Sequence, residues 1–342
     1  MPLRNVEWKI AFYDTRPYDC DAFTEANKEF FYNIDFFDFH LTEKTALTAK
    51  GYDVVCAFVN DTINEAVIKK LSECGVKLIA LRCAGYNNVD LKAAEQAGIK
   101  VVRVPAYSPN SVAEHALALL LSLTRRVPQA YLRTKTGNFT LNGLTGRDLH
   151  GLTAGILGTG RIGKIMAEIL AGIGMNVEVY DIYPDMAWAE QHNFKYVQLT
   201  QLFTDSDVLS LHCPLTEDTK YIVNAQSLQL MKHDAVIINT GRGALIDTTA
   251  LIHSLKKQTI GGAALDVYEE ENKYFFDDWS INVIRDDVLA RLLTFPNVII
   301  TAHQSFLTTN ALKAIAETTL SNIRSFYDGP ELNNEVRNAD NA

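Results

Sequence analysis

The chain has 342 residues, 47% hydrophobic and 21% charged, which is long for one domain and enough for two with substantial cores. A formal net charge of −9 excludes a general nucleic-acid binder, which needs a basic face to neutralise phosphates, but leaves room for a small anionic substrate held by a few local cations. The five cysteines include no Cys-x-x-Cys pair and no apolar run reaches the length of a membrane span, so neither a disulfide framework, a metal site nor a membrane segment is expected, and the cytoplasm is the expected location.

The N-terminus, MPLRNVEWKIAFYD, is a polar start followed by a strand, without the apolar stretch of a signal peptide. Strands are predicted at Lys9–Tyr13, Asp53–Phe58, Leu78–Arg82 and Lys100–Val104, with helices over Asn64–Glu73 and Leu91–Ala97 and Gly98 closing the second helix. Two prolines in Pro105–Asn110 interrupt the pattern. A long amphipathic helix, Ser111–Thr124, should follow, opened by a capping box of Ser111 and Glu114. Gln129–Gly151 is polar and glycine-dotted and reads as an arm or loop with a short helix.

A second alternating series begins at Gly151, with strands predicted at Ala154–Leu157, Asn176–Tyr180, Val208–His212, Ala235–Asn239, Gly262–Leu265 and Val298–Thr301. A helix from Leu307 to about Tyr327 closes it, and the polar stretch beyond Gly329 is expected to be poorly ordered. Strands alternating with helices predict parallel sheets, hence an α/β fold of doubly wound type.

The first strand of that series runs into Gly158-Thr159-Gly160-Arg161-Ile162-Gly163 and then a helix. In this position Gly158 permits the tight turn, Gly160 lets the backbone approach a pyrophosphate, and Gly163 lets helix and strand pack closely. The helix N-terminus offers unpaired N–H groups to phosphate. The next strand ends at Asp181, 18 positions after Gly163 (181 − 163). A carboxylate there accepts from both ribose hydroxyls and repels a 2′-phosphate, which favours NAD over NADP.

Three later strands lead into loops where such sheets bind ligands, beyond the carboxyl ends of the strands. Asn239-Thr240-Gly241-Arg242-Gly243 presents an arginine whose fork matches a carboxylate. Asp266-Val267-Tyr268-Glu269-Glu270-Glu271 supplies acids, and Ala302-His303-Gln304-Ser305 supplies an imidazole. Reduction of a ketone needs such a set. A protonated histidine neutralises the oxygen as hydride arrives, a carboxylate orients the imidazole and favours its charged form, and an arginine holds the substrate. Spacing alone does not choose among Glu269, Glu270 and Glu271. Among the other histidines, His212 falls in the half that should meet adenosine, and His115 on the apolar helix reads as structural.

Taken together, Leu81-Arg82-Cys83-Ala84-Gly85-Tyr86-Asn87-Asn88-Val89-Asp90, Val104-Pro105-Ala106-Tyr107-Ser108-Pro109, Gly158–Gly163, Leu211-His212-Cys213-Pro214-Leu215-Thr216, Asn239–Asp247, Leu265–Glu271 and Thr301-Ala302-His303-Gln304 make a chain that resembles the D-isomer-specific 2-hydroxyacid dehydrogenases, most closely the fermentative, lactate-forming members. The resemblance implies Arg242 as substrate anchor, His303 as acid/base and, among the three glutamates, Glu271 as its partner. It implies that Asp266 meets the nicotinamide carboxamide and that Arg161, Ile162, Cys213, Pro214, Thr240 and Gly241 line the cofactor, NAD. The backbone near Gly85 and Tyr86, with the Tyr107 and Phe306 side chains, is implied to shape the pocket for pyruvate or D-lactate. Other 2-keto acids, branched or aromatic, remain open, as does an NAD-sensing binding protein. The implied layout is two Rossmann-like domains flanking a cleft. Residues 1–104, completed by 302–342, would bind substrate, and 105–301 would bind NAD. A homo-oligomer is implied as well, with the 129–151 arm as a possible contact.

Overall fold

A computed structural model describes residues 8–329 and 332–338; the polar start at residues 1–7 lies outside them. The chain divides into two compact units. One holds the described residues up to Ser108 and from Leu307 onward, the other Pro109–Phe306.

The first unit is built on strands β1 (Lys9–Phe12), β2 (Asn33–Phe36), β3 (Val54–Ala57), β4 (Leu78–Leu81) and β5 (Lys100–Val102). They pair in the order β2-β1-β3-β4-β5, every pair parallel. β3 and β4 are buried along their whole length, which is why they read as unbroken apolar runs rather than alternating ones. The helices are started by side chains that accept an otherwise orphaned N–H. Asn64 caps Glu65–Glu73 through the Val67 amide at 3.0 Å, and Asp90 caps Leu91–Gln96 through the Ala93 amide at 2.9 Å. The helix Thr309–Asp328 packs against Pro17–Asn27 and so completes this unit from the far end of the chain.

Poor order beyond Gly329 does not hold for the described part of the tail. Glu335 bridges antiparallel to Val102, and the Val336 amide donates to the Val101 carbonyl at 2.9 Å. The tail supplies backbone partners to an edge strand, and that pairing asks nothing of side-chain polarity. Residues 330, 331 and 339–342 lie outside the described set.

The second unit carries β6 (Thr153–Leu157), β7 (Asn176–Tyr180), β8 (Lys195–Tyr196), β9 (Val208–Leu211), β10 (Val236–Asn239), β11 (Gly262–Leu265) and β12 (Val298–Ile300). Their order, β12-β11-β10-β9-β6-β7-β8, is wholly parallel. This is the doubly wound nucleotide-binding order with a seventh strand added at one edge. Alternate residues feed separate cores on the two faces. Ile237 joins one, while Val236 and Ile238 join the other. The long helix starts at Pro109 rather than Ser111. Proline suits the first turn because its missing N–H would be unsatisfied there anyway, so Ser111 sits buried inside the helix instead of capping it. After it comes Val127–Lys135, a helix without a single buried residue, and the arm that follows exposes Phe139 and Leu141.

Candidate active site

β6 ends in the glycine-rich turn, and the turn is shaped by what its glycines lack. Gly158 has φ +97, and a Cβ on it would strike the backbone at His212 and Cys213 after β9. A Cβ on Gly163 would run into the Gly158 carbonyl, whereas one on Gly160 would meet nothing. The turn is therefore closed on the strand side and open on the other. Helix Arg161–Gly172 starts at Gly160 with no side-chain cap, so its first-turn amides face outward without a protein acceptor. Arg161 is exposed and Ile162 half-buried at this end. Asp181, half-buried, accepts from the Thr159 amide at 2.6 Å and hydroxyl at 3.1 Å through one oxygen, and from the Tyr183 amide at 2.9 Å through the other. It thus ties the end of β7 to the turn.

Cys213 lies against this turn from the β9 side, and Pro214 after it is exposed. Burial pushes the Cys213 thiol up to about 12, so it stays protonated and packs rather than reacts. Burial likewise pushes the His212 imidazole down to about 4, and its Nε2 meets the Ser210 hydroxyl at 2.8 Å. His212 is neutral at physiological pH and poorly suited to donate a proton. Beyond β10, Thr240 is buried with its hydroxyl unpartnered. The open glycine turn and this orphaned hydroxyl both fit a dinucleotide at the carboxyl edge of the sheet.

The loop after β10 is pinned by Asn239, which is fully buried. Its amide nitrogen donates to the Arg242 carbonyl at 2.9 Å and its oxygen accepts from the Gly241 amide at 3.0 Å. Gly243 lets this loop lie on the next one, since a Cβ there would collide with the backbone at Tyr268 and Glu269. Arg242 is half-buried, and its guanidinium donates to the Gly241 carbonyl at 2.8 Å. Among the described residues no carboxylate pairs with it. A half-buried arginine without a counter-ion is suited to an incoming carboxylate.

The three glutamates after β11 go different ways. Glu270 is exposed and pairs with Lys273 at 2.6 Å. Glu269 accepts from the Thr248 amide at 3.0 Å. Glu271 accepts from the Tyr268 amide at 3.0 Å with one oxygen and meets His303 Nδ1 at 2.8 Å with the other. The carboxylate is thus held from behind and fixes the ring through Nδ1, leaving Nε2 as the ring nitrogen that Glu271 does not engage.

His303 follows β12 in a left-handed backbone conformation, φ 51, which a non-glycine residue adopts only when its surroundings hold it there. Asp266 is what holds it. Its carbonyl accepts from the His303 amide at 2.7 Å, and its carboxylate accepts from the Gln304 and Ser305 amides at 2.9 Å each. Thr301 donates to the same carboxylate, and His115 Nε2 lies 3.4 Å from it. Burial alone would raise the Asp266 pKa, but the bonds from His115, Thr301, Ser305 and Gln304 hold it below the ordinary carboxylate value. Asp266 is 0% exposed, and each of its carboxylate oxygens accepts a backbone amide of the His303 loop. His115, read from the sequence as structural, is part of this clamp, which the sequence did not announce. Its partner Thr301 is 186 positions away, and the only local signal was a lone imidazole on an otherwise apolar helix.

Phe306 is buried at the end of this loop. Gly85 and Tyr86 follow β4 in the other unit, and Tyr107 is half-buried near that unit's boundary.

Comparison with known proteins bears on this arrangement. The model of the NAD binding domain of the D-isomer specific 2-hydroxyacid dehydrogenases matches residues 117–305. The chain is 50% identical to D-lactate dehydrogenase of Escherichia coli over 328 residues, 96% of this chain and 99% of that one. It is 42% identical to an aromatic 2-oxoacid reductase of Clostridium sporogenes, over 93% of this chain and 96% of that one. The apo-structure of the Escherichia coli enzyme superposes with a TM-score of 0.89 at 48% identity, covering 96% and 99% of the two chains. The chain belongs to the D-isomer specific 2-hydroxyacid dehydrogenases, NAD-dependent oxidoreductases of two parallel-sheet domains.

Proposed function

We propose that this chain reduces pyruvate to D-lactate, reversibly, with NADH. The observation that carries the reading is the His303–Glu271 pair at 2.8 Å on a loop clamped by Asp266. Bound NADH supplies the hydride that reaches the keto carbon. His303, oriented by Glu271, gives an Nε2 proton to the oxygen as negative charge builds there, and takes it back in the reverse direction. Arg242 holds the substrate carboxylate and polarises the neighbouring carbonyl. The backbone at Gly85 and Tyr86, with Tyr107 and Phe306, shapes the pocket, and the five-stranded unit is the substrate-binding part.

For NAD we assign Gly158, Gly160, Arg161, Ile162 and Gly163 to the pyrophosphate side and Asp181 to the ribose. Cys213, Pro214, Thr240 and Gly241 line the cofactor, and Asp266 serves the carboxamide as well as the His303 loop. A cofactor-sensing binding protein would need neither a paired imidazole nor an arginine without a counter-ion. The aromatic 2-oxoacid reductase among the relatives keeps a bulkier keto acid as the second reading.

Steady-state rates over a panel of linear, branched and aromatic 2-keto acids, each with NADH and NADPH, test both readings. Pyruvate with NADH should give the highest kcat/KM and D-lactate as product. A bulkier acid at the top of the panel would overturn the first reading in favour of the second. In the same assay Asp181→Ala should narrow the preference for NADH, because the carboxylate that repels a 2′-phosphate is gone. An unchanged preference would remove Asp181 from the ribose site.

We also infer a homo-oligomer joined through the helix Val127–Lys135 and the arm after it, where Tyr131, Leu132, Phe139 and Leu141 are all more than half exposed. Apolar side chains in such a row favour burial against a second copy. Sedimentation of Phe139→Glu/Leu141→Glu should show a smaller species than the parent chain, and identical sedimentation would exclude this surface. With its five cysteines unbridged, the protein suits the cytoplasm.

A further inference from the structure

Arg103, just after β5, reaches the turn that follows β4. Its Nη1 donates to the Ala84 carbonyl at 2.8 Å, and its guanidinium carbon lies 5.0 Å from the centroid of the Tyr86 ring. The residue is itself held on both sides of its backbone. Its amide donates to the Asn334 carbonyl at 3.0 Å, and its carbonyl accepts from Asn322 Nδ2 at 2.8 Å. Asn322 Oδ1 in turn accepts from Asn334 Nδ2 at 2.7 Å. The strap is fastened next door, where Glu335 pairs with Lys100 at 2.6 Å and Arg337 at 2.7 Å.

The turn is satisfied on one side only. The carbonyls of Ala84, Gly85 and Tyr86 accept from Arg103, the Cys83 thiol and the Val89 amide respectively. The amides of Gly85 and Tyr86 donate to no acceptor among the described residues. In a trans peptide the N–H points opposite to the C=O. Drawing the Ala84 carbonyl onto Arg103 therefore aims the Gly85 N–H the other way. Two successive amides without a protein acceptor are suited to a small anion.

We propose that Arg103 is a positioning residue for the substrate carboxylate, orienting the Ala84–Gly85 peptide so that the Gly85 and Tyr86 amides can bind it, with Asn322 and the strap at 334–336 holding Arg103 in place. This rests on the assignment of Gly85 and Tyr86 to the keto acid made above. Loss of Arg103 frees the peptide to rotate, and the substrate must then pay the ordering entropy that the fold now supplies in advance.

The test is kinetic, on the full chain. Arg103→Gln should raise KM for pyruvate about 10-fold, the size expected when a charge-assisted hydrogen bond is lost, while KM for NADH stays within about twofold. Arg103→Lys keeps a cation near Tyr86 and one donor, and should recover most of the difference. Asn322→Ala should move KM for pyruvate in the same direction by a smaller factor. In a Tyr86→Leu background the Arg103→Gln effect should shrink, because the two side chains act on one turn. An unchanged KM for pyruvate in Arg103→Gln would overturn the proposal. So would an equal rise in KM for NADH, the mark of a general loss of structure. If Arg103→Gln does not fold, Asn322→Ala decides by the same split. Should the parent chain prefer another 2-keto acid, KM is read for that acid, so failure of the pyruvate assignment stays distinct from failure of this one.

Discussion

Replacing His303 by alanine should lower kcat by about 100- to 10,000-fold, the usual contribution of a placed general acid. The geometry makes the effect specific to the chemical step. His303 is fixed through Nδ1 by Glu271 at 2.8 Å, and through its backbone by Asp266. Removing the ring deletes the proton donor and leaves the glycine turn, Asp181 and Thr240 untouched, so NADH should still bind with near-parental affinity. Stopped-flow or steady-state turnover and a fluorescence titration of NADH measure the two quantities separately. Glu271→Gln should fall between the parent and His303→Ala, because the ring keeps a hydrogen-bond partner but loses the carboxylate that orients it. Turnover of His303→Ala within a few-fold of the parent would take this imidazole out of the reaction.

Replacing Arg242 by alanine should lower kcat/KM for the keto acid by roughly 30- to several-thousand-fold, the range for removing one partner of a desolvated, hydrogen-bonded charge pair. No carboxylate of the described protein pairs with Arg242. The loss therefore falls on the substrate rather than on an internal ion pair, and the melting temperature should hardly move. Arg242→Lys should recover little, since a point charge does not reproduce a planar fork holding a carboxylate. Added guanidinium should restore part of the activity of Arg242→Ala but not of His303→Ala. Equal kcat/KM in parent and Arg242→Ala would show that the carboxylate is held elsewhere.

What the sequence carried most clearly were the elements whose signal is local. Gly262–Leu265 is a strand at the predicted bounds, and its neighbours differ from prediction by a residue or two. Such strands, buried on both faces, are apolar throughout. The glycine turn and its helix were equally plain, because each glycine answers a nearby steric demand. β2, Asn33–Phe36, had not been predicted. It is an edge strand with exposed and half-buried residues alternating, inside a stretch mixing aromatic and acidic residues. The two-residue β8 is too short to show any period.

The active site was legible as a set of loops but not as a set of contacts. Spacing left Glu269, Glu270 and Glu271 equivalent, and family resemblance rather than pattern singled one out. The Asp266 clamp acts largely on backbone amides, which leave no trace in residue types. His115 meets a loop far along the chain. The tail looked disordered for the same reason. Its polar residues are tied down by main-chain pairing with β5 and by side-chain bonds to Asn322 and Lys100 that nothing local announces.

The five-stranded unit is interrupted in the chain by the whole of the seven-stranded one. As the polypeptide leaves the ribosome, the helix Pro17–Asn27 appears long before Thr309–Asp328, the helix that packs on it. The intervening 198 residues (306 − 108) take about 10–40 s to synthesise. Throughout that interval the nascent N-terminal sheet lacks one of its covering helices, and at its end the seven-stranded sheet has every strand it needs. The later-emerging unit is thus the first able to fold to completion, and the surface awaiting Thr309–Asp328 is the one on which chaperone protection would matter most.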